Sequence, residues 1–256
     1  MAKKQTHSHR ASMLLEKIQR EDIPLGKFVN WLRYDEFFHF LKFGDGEWYC
    51  IWENEGMIGL GKMPLSPEVQ QEMGGGLKKC SQSPIIFGMQ NYSLRRWTKN
   101  IEEFLEENKL WHIVWANSDV FHYASRDGEL FPFIQQLRRK LIVVIGPEYL
   151  RKLPEHTFGY TKFIQVPEYD AYGEIERVEA EILATQKELG DGIIYSLSCG
   201  PLANVLIFHL WEQMLENSLI NVGSLWDIFC GRRSRRYMLT RHYPDETLKR
   251  NLGLMK

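Results

Sequence analysis

The feature that most constrains this 256-residue chain is a repeated alternation of short apolar runs with longer stretches whose apolar residues recur at helical spacing. The short runs are PIIFGM (84–89), LWHIVWA (110–116), KLIVVIG (140–146), KFIQV (162–166), GIIYSLS (192–198) and LINVG (219–223). Parallel strands buried on both faces read as continuous apolar runs, and a parallel neighbour is reached only through a long crossover, usually a helix. The spacing predicts helices over 93–109, 128–139, 172–190 and 201–217, with two more over 11–21 and 26–42. In the stretch 172–190, Ile175, Val178, Ile182 and Leu189 mark one face and Gly190 the stop. The fold class is therefore α/β: a Rossmann-like layered domain with a mostly parallel sheet flanked by helices.

No repeat, low-complexity stretch or linker divides the chain. It reads as a flexible tail over 1–10 and a single domain over 11–256, for which a 44% hydrophobic composition is ample. His7 and His9 lie in the tail and receive no role. A formal charge of −1 provides no global field for nucleic acid or membrane, so a charged ligand must be held by a local arrangement. Cys50, Cys80, Cys199 and Cys230 are widely spaced and form no CxxC pair, which fits reduced thiols better than zinc or disulfides. The first residues lack an apolar signal core, and LIVVIG (141–146) is far too short to span a membrane. The expected place is the cytoplasm, with peripheral attachment to a membrane surface as its variant.

Two turns carry candidate chemistry. The stretch FLKFGDGEWYC (40–50) sets Asp45 and Glu47, each preceded by a glycine, between a helix-like apolar run and a strand-like aromatic one. Two such carboxylates suit Mg²⁺ or Mn²⁺, which take one or two carboxylates and complete their shell from substrate phosphates; a solvated turn with a capping Asp is the plain alternative. The second turn, in IIYSLSCGPLANVLIF (193–208), runs from an apolar strand through Ser198, Cys199 and Gly200 to Pro201 at a helix start. Helix N-termini of this kind attract anions through unpaired N–H groups and the helix dipole, although a tight capped turn needs no ligand. Lys42, Gly44 and Gly46 around the first turn, and Ser198, Gly200 and Asn204 around the second, are candidate donor- and phosphate-contacting residues. Together the two turns would clamp a diphosphate, and the chain contains neither GxxxxGK[ST] nor GxGxxG.

The segment KFGDGEW (42–48) resembles the [RK]-F-G-D-G-E stretch of the GT-D-fold glycosyltransferases, first catalogued as bacterial domains of unknown function. KLIVVIGPEYL is similar to that family's strand ending in a Gly turn, VPEYDAYGEIERVEAEI to its next conserved segment, YSLSCGPLANVLIFHLW to its small-residue strand and helix, and LINVGSLWDIF to its closing element. The likenesses run in order from about residue 40 to about 230. The resemblance implies a metal-dependent glycosyltransferase, often with a UDP-sugar donor, in which Asp45 and Glu47 supply the D-x-E pair. Departures accompany it. Lys42 stands where Arg is commoner, Asn221 where the closing motif has its first Asp and Ser224 where it has His, while Asp227 keeps the final acid. Asp227 is the candidate general base or acceptor contact, with helix capping as its alternative.

Asn117, Asp119 and His122 follow a strand and are candidate sugar or acceptor contacts, as is Asp170 beyond the strand at 162–166. The basic run GRRSRRYMLTRHY (231–243) adds Arg233 and Arg236, to serve the diphosphate or an acidic acceptor. A nucleotide-sugar donor is the expected partner, and the acceptor class is open among glycan, lipid-linked glycan, protein and nucleic acid. Two other functions compete: a metal-dependent phosphohydrolase of nucleotide or sugar phosphates, and a non-enzymatic nucleic-acid binder using the 231–243 run.

Overall fold

The computed structural model describes residues 12–53, 55–58, 63–153 and 157–255; the tail assigned to 1–10, with His7 and His9, lies outside them. Eight strands build one sheet: β1 (Gln19–Arg20), β2 (His39–Phe43), β5 (Ile86–Met89), β6 (Val114–Asn117), β7 (Leu141–Gly146), β8 (Lys162–Gln165), β9 (Ile193–Leu197) and β10 (Ser218–Asn221). Their order is β1-β6-β5-β2-β10-β9-β7-β8, and every pairing is parallel. A two-residue antiparallel ladder, β3 (Met57–Ile58) with β4 (Met63–Pro64), stands apart.

Alternation along the strands splits the core into two layers. Leu41, Phe43, Val143, Ile145, Tyr195 and Leu197 face one apolar cluster, while Phe40, Ile142, Val144 and Ile194 face the other. The first layer is closed by α3 (Asp45–Trp52), α4 (Pro67–Cys80), α5 (Asn91–Arg96), α6 (Thr98–Glu107), α9 (Ile175–Leu189) and α10 (Leu202–Leu210). The second is closed by α2 (Leu25–Arg33), α7 (Val120–Asp127), α8 (Phe131–Leu137) and α11 (Asp245–Leu252). A further helix, α1, covers 12–17. No helix of the described residues is long and apolar enough to cross a membrane.

Expectations for the N-terminal half of the chain are corrected in three places. The helix predicted over 26–42 ends at Arg33, where Tyr34 caps it and Asp35 takes a left-handed φ of 57°. His39–Phe43 is then a strand, so deeply set between neighbours that it shows no polar alternation. The aromatic stretch after it is the helix α3, not a strand. Its β-prone residues are overridden by packing: Trp48 is fully buried, 5.2 Å from Phe43 and 5.8 Å from Trp115 between ring centres. Burying a side chain of this size contributes about 2–3 kcal/mol. The predicted helix over 93–109 breaks at Trp97 into α5 and α6. The sequence reading placed no element on α4. Ser66 caps it, and Gly76 lets it press against α10, since a Cβ there would fall 2.2 Å from the Phe208 ring.

Candidate active site

Connections from β2 lead toward β5 and β6, whereas β10 is reached from β9, so the chain reverses direction between the two central strands. In open α/β sheets a ligand crevice forms at the carboxyl ends of strands at such a switch point. Here the ladder between β2 and β10 comprises Leu219–His39 and Ile220–Phe40, beyond which the strands part. Asn204 of α10 fills the gap. Its Oδ1 accepts the Lys42 N–H (3.2 Å) and the Asn221 Nδ2 (2.8 Å), and its Nδ2 donates to the Lys42 carbonyl (3.0 Å). Asn204 is fully buried and holds the two strand ends at the floor of the crevice.

The acidic motif opens directly above that floor. Gly44 precedes α3, Asp45 and Gly46 enter its first turn, and the Glu47 carboxylate folds back to accept the Gly44 N–H at 2.9 Å. Asp45 Oδ2 accepts from Arg96 at 2.7 Å, while its Oδ1 is buried without a hydrogen-bond partner. Burial pushes the Glu47 carboxyl above its ordinary range, against the opposing pull of the Gly44 N–H and the charges of Lys42 and Arg235.

The Lys42 side chain is paired within the protein. Its ammonium donates to Asp119 Oδ1 at 2.7 Å and to the Ser118 carbonyl at 3.1 Å. Although desolvation opposes it, this cation holds the Asp119 carboxyl below its usual value, and Gln90 donates to the same oxygen at 3.2 Å. Asn117 accepts the Asp119 N–H at 2.9 Å and thereby shapes the turn after β6. His122, in the first turn of α7, pairs through Nδ1 with Tyr237 Oη at 2.9 Å, and its buried Nε2 has no partner. Burial first, then Lys42, lowers its pKa to about 3, so the ring is neutral.

Ser198 and Gly200 (φ 65°) form the turn after β9, with Ser198 Oγ buried and unpartnered; α10 begins at Leu202, one residue after the expected Pro201. Asp227 is buried and accepts from Tyr149 Oη at 2.8 Å. Burial raises its carboxyl pKa. Arg232 lies 3.9 Å over the Tyr149 ring and grips Glu168 with both terminal nitrogens at 2.8 and 3.1 Å. Beside this group, a cleft of about 580 Å³ runs along the ends of β7 and β8, lined by Tyr149, Arg151, Gln165 and Glu168. Asp170 takes a left-handed φ of 52° at the exposed start of the turn leading into α9, outside this cluster.

The basic run is not a free cationic face. Arg233 donates to the carbonyls of Met238 and Tyr243 and so holds the C-terminal segment together. Arg236 is exposed and enters no ion pair among the described residues. Arg235, a third arginine of the 231–243 run, donates through Nε to Ser224 Oγ at 2.7 Å on the loop after β10. Its signal in the sequence is the basic run, expected to serve a diphosphate or an acidic acceptor.

A single all-parallel sheet flanked by helices on both faces places the chain in the α/β class, and its fold is similar to one described as a distinct glycosyltransferase fold. Three solved structures make the likeness specific, and each covers 86% of this chain. "A New Glycosyltransferase (DUF1792) from Streptococcus sanguinis" is 16% identical, with a TM-score of 0.60 and 87% of its own chain covered. A selenomethionine-substituted structure of domain of unknown function 1792 is 12% identical, with a TM-score of 0.62 and 83% covered. A structure described as the highly conserved domain of unknown function 1792 with a distinct glycosyltransferase fold is 11% identical, with a TM-score of 0.60 and 83% covered. The fold expected from the sequence is thus the fold found. No protein-family model and no curated protein matches the sequence.

Proposed function

We propose that the protein is a glycosyltransferase that takes a sugar from a nucleoside-diphosphate donor, a UDP-sugar first among them, and passes it to an acceptor hydroxyl. The observation that carries this reading is the partnerless, buried Asp45 Oδ1 in the first turn of α3, at the switch point of a glycosyltransferase fold. That oxygen and Glu47 fit a Mg²⁺ or Mn²⁺ ion. Among the described residues no group of three or more His, Cys, Asp or Glu side chains is arranged to hold a metal, so the remaining ligands must come from the donor's diphosphate and water. When bound, the metal neutralises charge growing on the departing diphosphate.

The chain's own groups do the rest of the work. Arg96 fixes the Asp45 carboxylate and the Gly44 N–H fixes that of Glu47, so both are held before the donor arrives. The turn at Ser198–Gly200 offers the unpartnered Ser198 hydroxyl to phosphate or ribose. Asp227, its carboxyl raised by burial and oriented by Tyr149, is the proposed acceptor of the proton leaving the attacking hydroxyl. Thermal melting with UDP-, GDP-, CMP- and dTDP-sugars, each with Mn²⁺ and with chelator, tests the reading. One nucleotide family should raise Tm, only with metal, and not in Asp45→Asn. If none does, or if Asp45→Asn responds like the parent, the acidic turn is structural.

A further inference from the structure

The cations flanking the crevice are mostly spent on the protein. Lys42 is held by Asp119, Arg96 by Asp45, Arg232 by Glu168, and Arg233 by two carbonyls. Arg235 differs. Its Nε is fixed on Ser224 Oγ, and neither terminal nitrogen of its guanidinium has a partner among the described residues. The segment that carries it is docked at two points, through Arg235 on Ser224 and through Tyr237 on His122. It is anchored from behind by Tyr243, whose hydroxyl bonds Ser125 at 3.1 Å and Asn251 at 2.6 Å.

The Ser224 anchor stands over the gap between β2 and β10. The preceding Gly223 lies so close that a Cβ there would sit 3.5 Å from the Lys42 side chain and 3.8 Å from His122 Nε2. On the loops around that gap are buried polar atoms that no protein group satisfies: Asp45 Oδ1, Ser118 Oγ, His122 Nε2 and Ser198 Oγ. Buried polar groups left without partners are costly, and several on loops at one edge of the sheet point to a polar ligand that completes them.

We infer that Arg235 is the residue that grips the diphosphate of the donor, its two terminal nitrogens taking a pair of phosphate oxygens while Nε stays on Ser224. The inference rests on the donor reading above and adds to it: the part that Lys42 was expected to play falls to a residue nearly two hundred positions later, because Lys42 is already committed. Only the planar guanidinium fork can hold Ser224 and two phosphate oxygens at once, so lysine is a poor substitute.

Calorimetric titration with Mg²⁺ present, using inorganic pyrophosphate, UDP and uridine as probes, tests this on the parent chain and on Arg235→Ala, Arg235→Lys, Ser224→Ala and Arg236→Ala. Arg235→Ala is expected to weaken pyrophosphate and UDP about ten- to hundredfold, the range for a lost charge-assisted contact, and to leave uridine unchanged. Arg235→Lys should recover part of the loss, Ser224→Ala should lose less than Arg235→Ala, and Arg236→Ala should match the parent. Arg235 is exposed, so its variants are expected to melt like the parent. If the parent binds UDP and Arg235→Ala binds it equally well, the inference falls and the donor reading stands. If pyrophosphate binds through Arg235 but no nucleotide sugar binds, the anion grip stands and the donor reading falls. A parent that binds neither pyrophosphate nor UDP overturns both.

Discussion

The side chain of Asn204 hydrogen-bonds both the N–H and the carbonyl of Lys42, 162 residues earlier, at the point where β10 has turned away. It thereby stands in for a strand. The central sheet opens a crevice without leaving the backbone of β2 unpaired, which would otherwise carry a cost at a buried position.

Asn204→Leu should therefore remove three hydrogen bonds while keeping volume, leaving the Lys42 amide and carbonyl and the Asn221 side-chain amide unsatisfied. A loss of about 2–4 kcal/mol is expected from buried groups stripped of partners. Urea denaturation measures it, and a loss below about 1 kcal/mol would show that the gap relaxes without Asn204.

Lys42 and Asp119 have side chains only 12% and 10% exposed, so their ion pair is largely cut off from solvent. Lys42→Met is expected to cost about 3–5 kcal/mol by leaving the Asp119 charge uncompensated, whereas Lys42→Met with Asp119→Leu should recover most of it. A double-mutant cycle decides the matter, and strictly additive losses would mean that the two residues act separately.

Asp45→Asn should separate function from folding. Its pair with Arg96 lies at the surface, the arginine 51% exposed, and such pairs contribute about 0–1 kcal/mol. Melting should barely change. Transfer from the matching nucleotide sugar should fall about a hundred- to a thousandfold, as when a group stabilising transition-state charge is removed. Activity retained by the Asp45→Asn variant would remove Asp45 from the chemistry.

A pH dependence follows from the far side of the molecule. His209 of α10 bridges Glu179 and, at 2.8 Å, Glu72, beside Lys79 in a small cavity; the hydrogen bond to Glu179 first, then that to Glu72, raises its pKa to about 9. The folded state thus binds a proton that the unfolded chain releases near 6.5. The stabilisation is complete below about pH 6.5 and is lost as pH rises through about 9, on the order of 1–2 kcal/mol once exposure of the glutamates is discounted. In urea melts at pH 6, 7.5 and 9.5, His209→Gln should flatten this slope; an unchanged slope would assign it to other groups.

The elements that the sequence displayed most plainly were those whose apolar runs stand alone. Strands β5, β7, β8, β9 and β10 and the helix at Ile175–Leu189, with Val178 and Ile182 buried and Gly190 as its cap, lie where periodicity put them. The strand His39–Phe43 was hidden because complete burial erases polar alternation, and α4 because three consecutive glycines argue against a helix unless a partner such as Phe208 demands the space. In the site, Asp45, Glu47, Asp119, His122, Ser198 and Asp227 all reach the carboxyl edge of the sheet. What local pattern cannot show is commitment. Lys42, Asn204 and Arg233 look available in a string of letters and are consumed by partners far along the chain, while Arg235 became distinct only when its neighbours were accounted for.

The adjacency of β2 and β10 also sets a clock on biosynthesis. The Leu219 amide that bonds His39 belongs to a residue 180 positions downstream, so the central pairing waits roughly 10–35 s at ordinary ribosomal elongation rates. Throughout that interval His39–Phe43 is an apolar strand with an open edge, the kind of template that recruits wrong partners. Nascent chains stalled before residue 218 hold the acidic turn but neither the strand that flanks it nor the arginine segment above it. Such fragments lack half of the crevice, and their yield should depend on chaperones that shield β2 until β10 emerges.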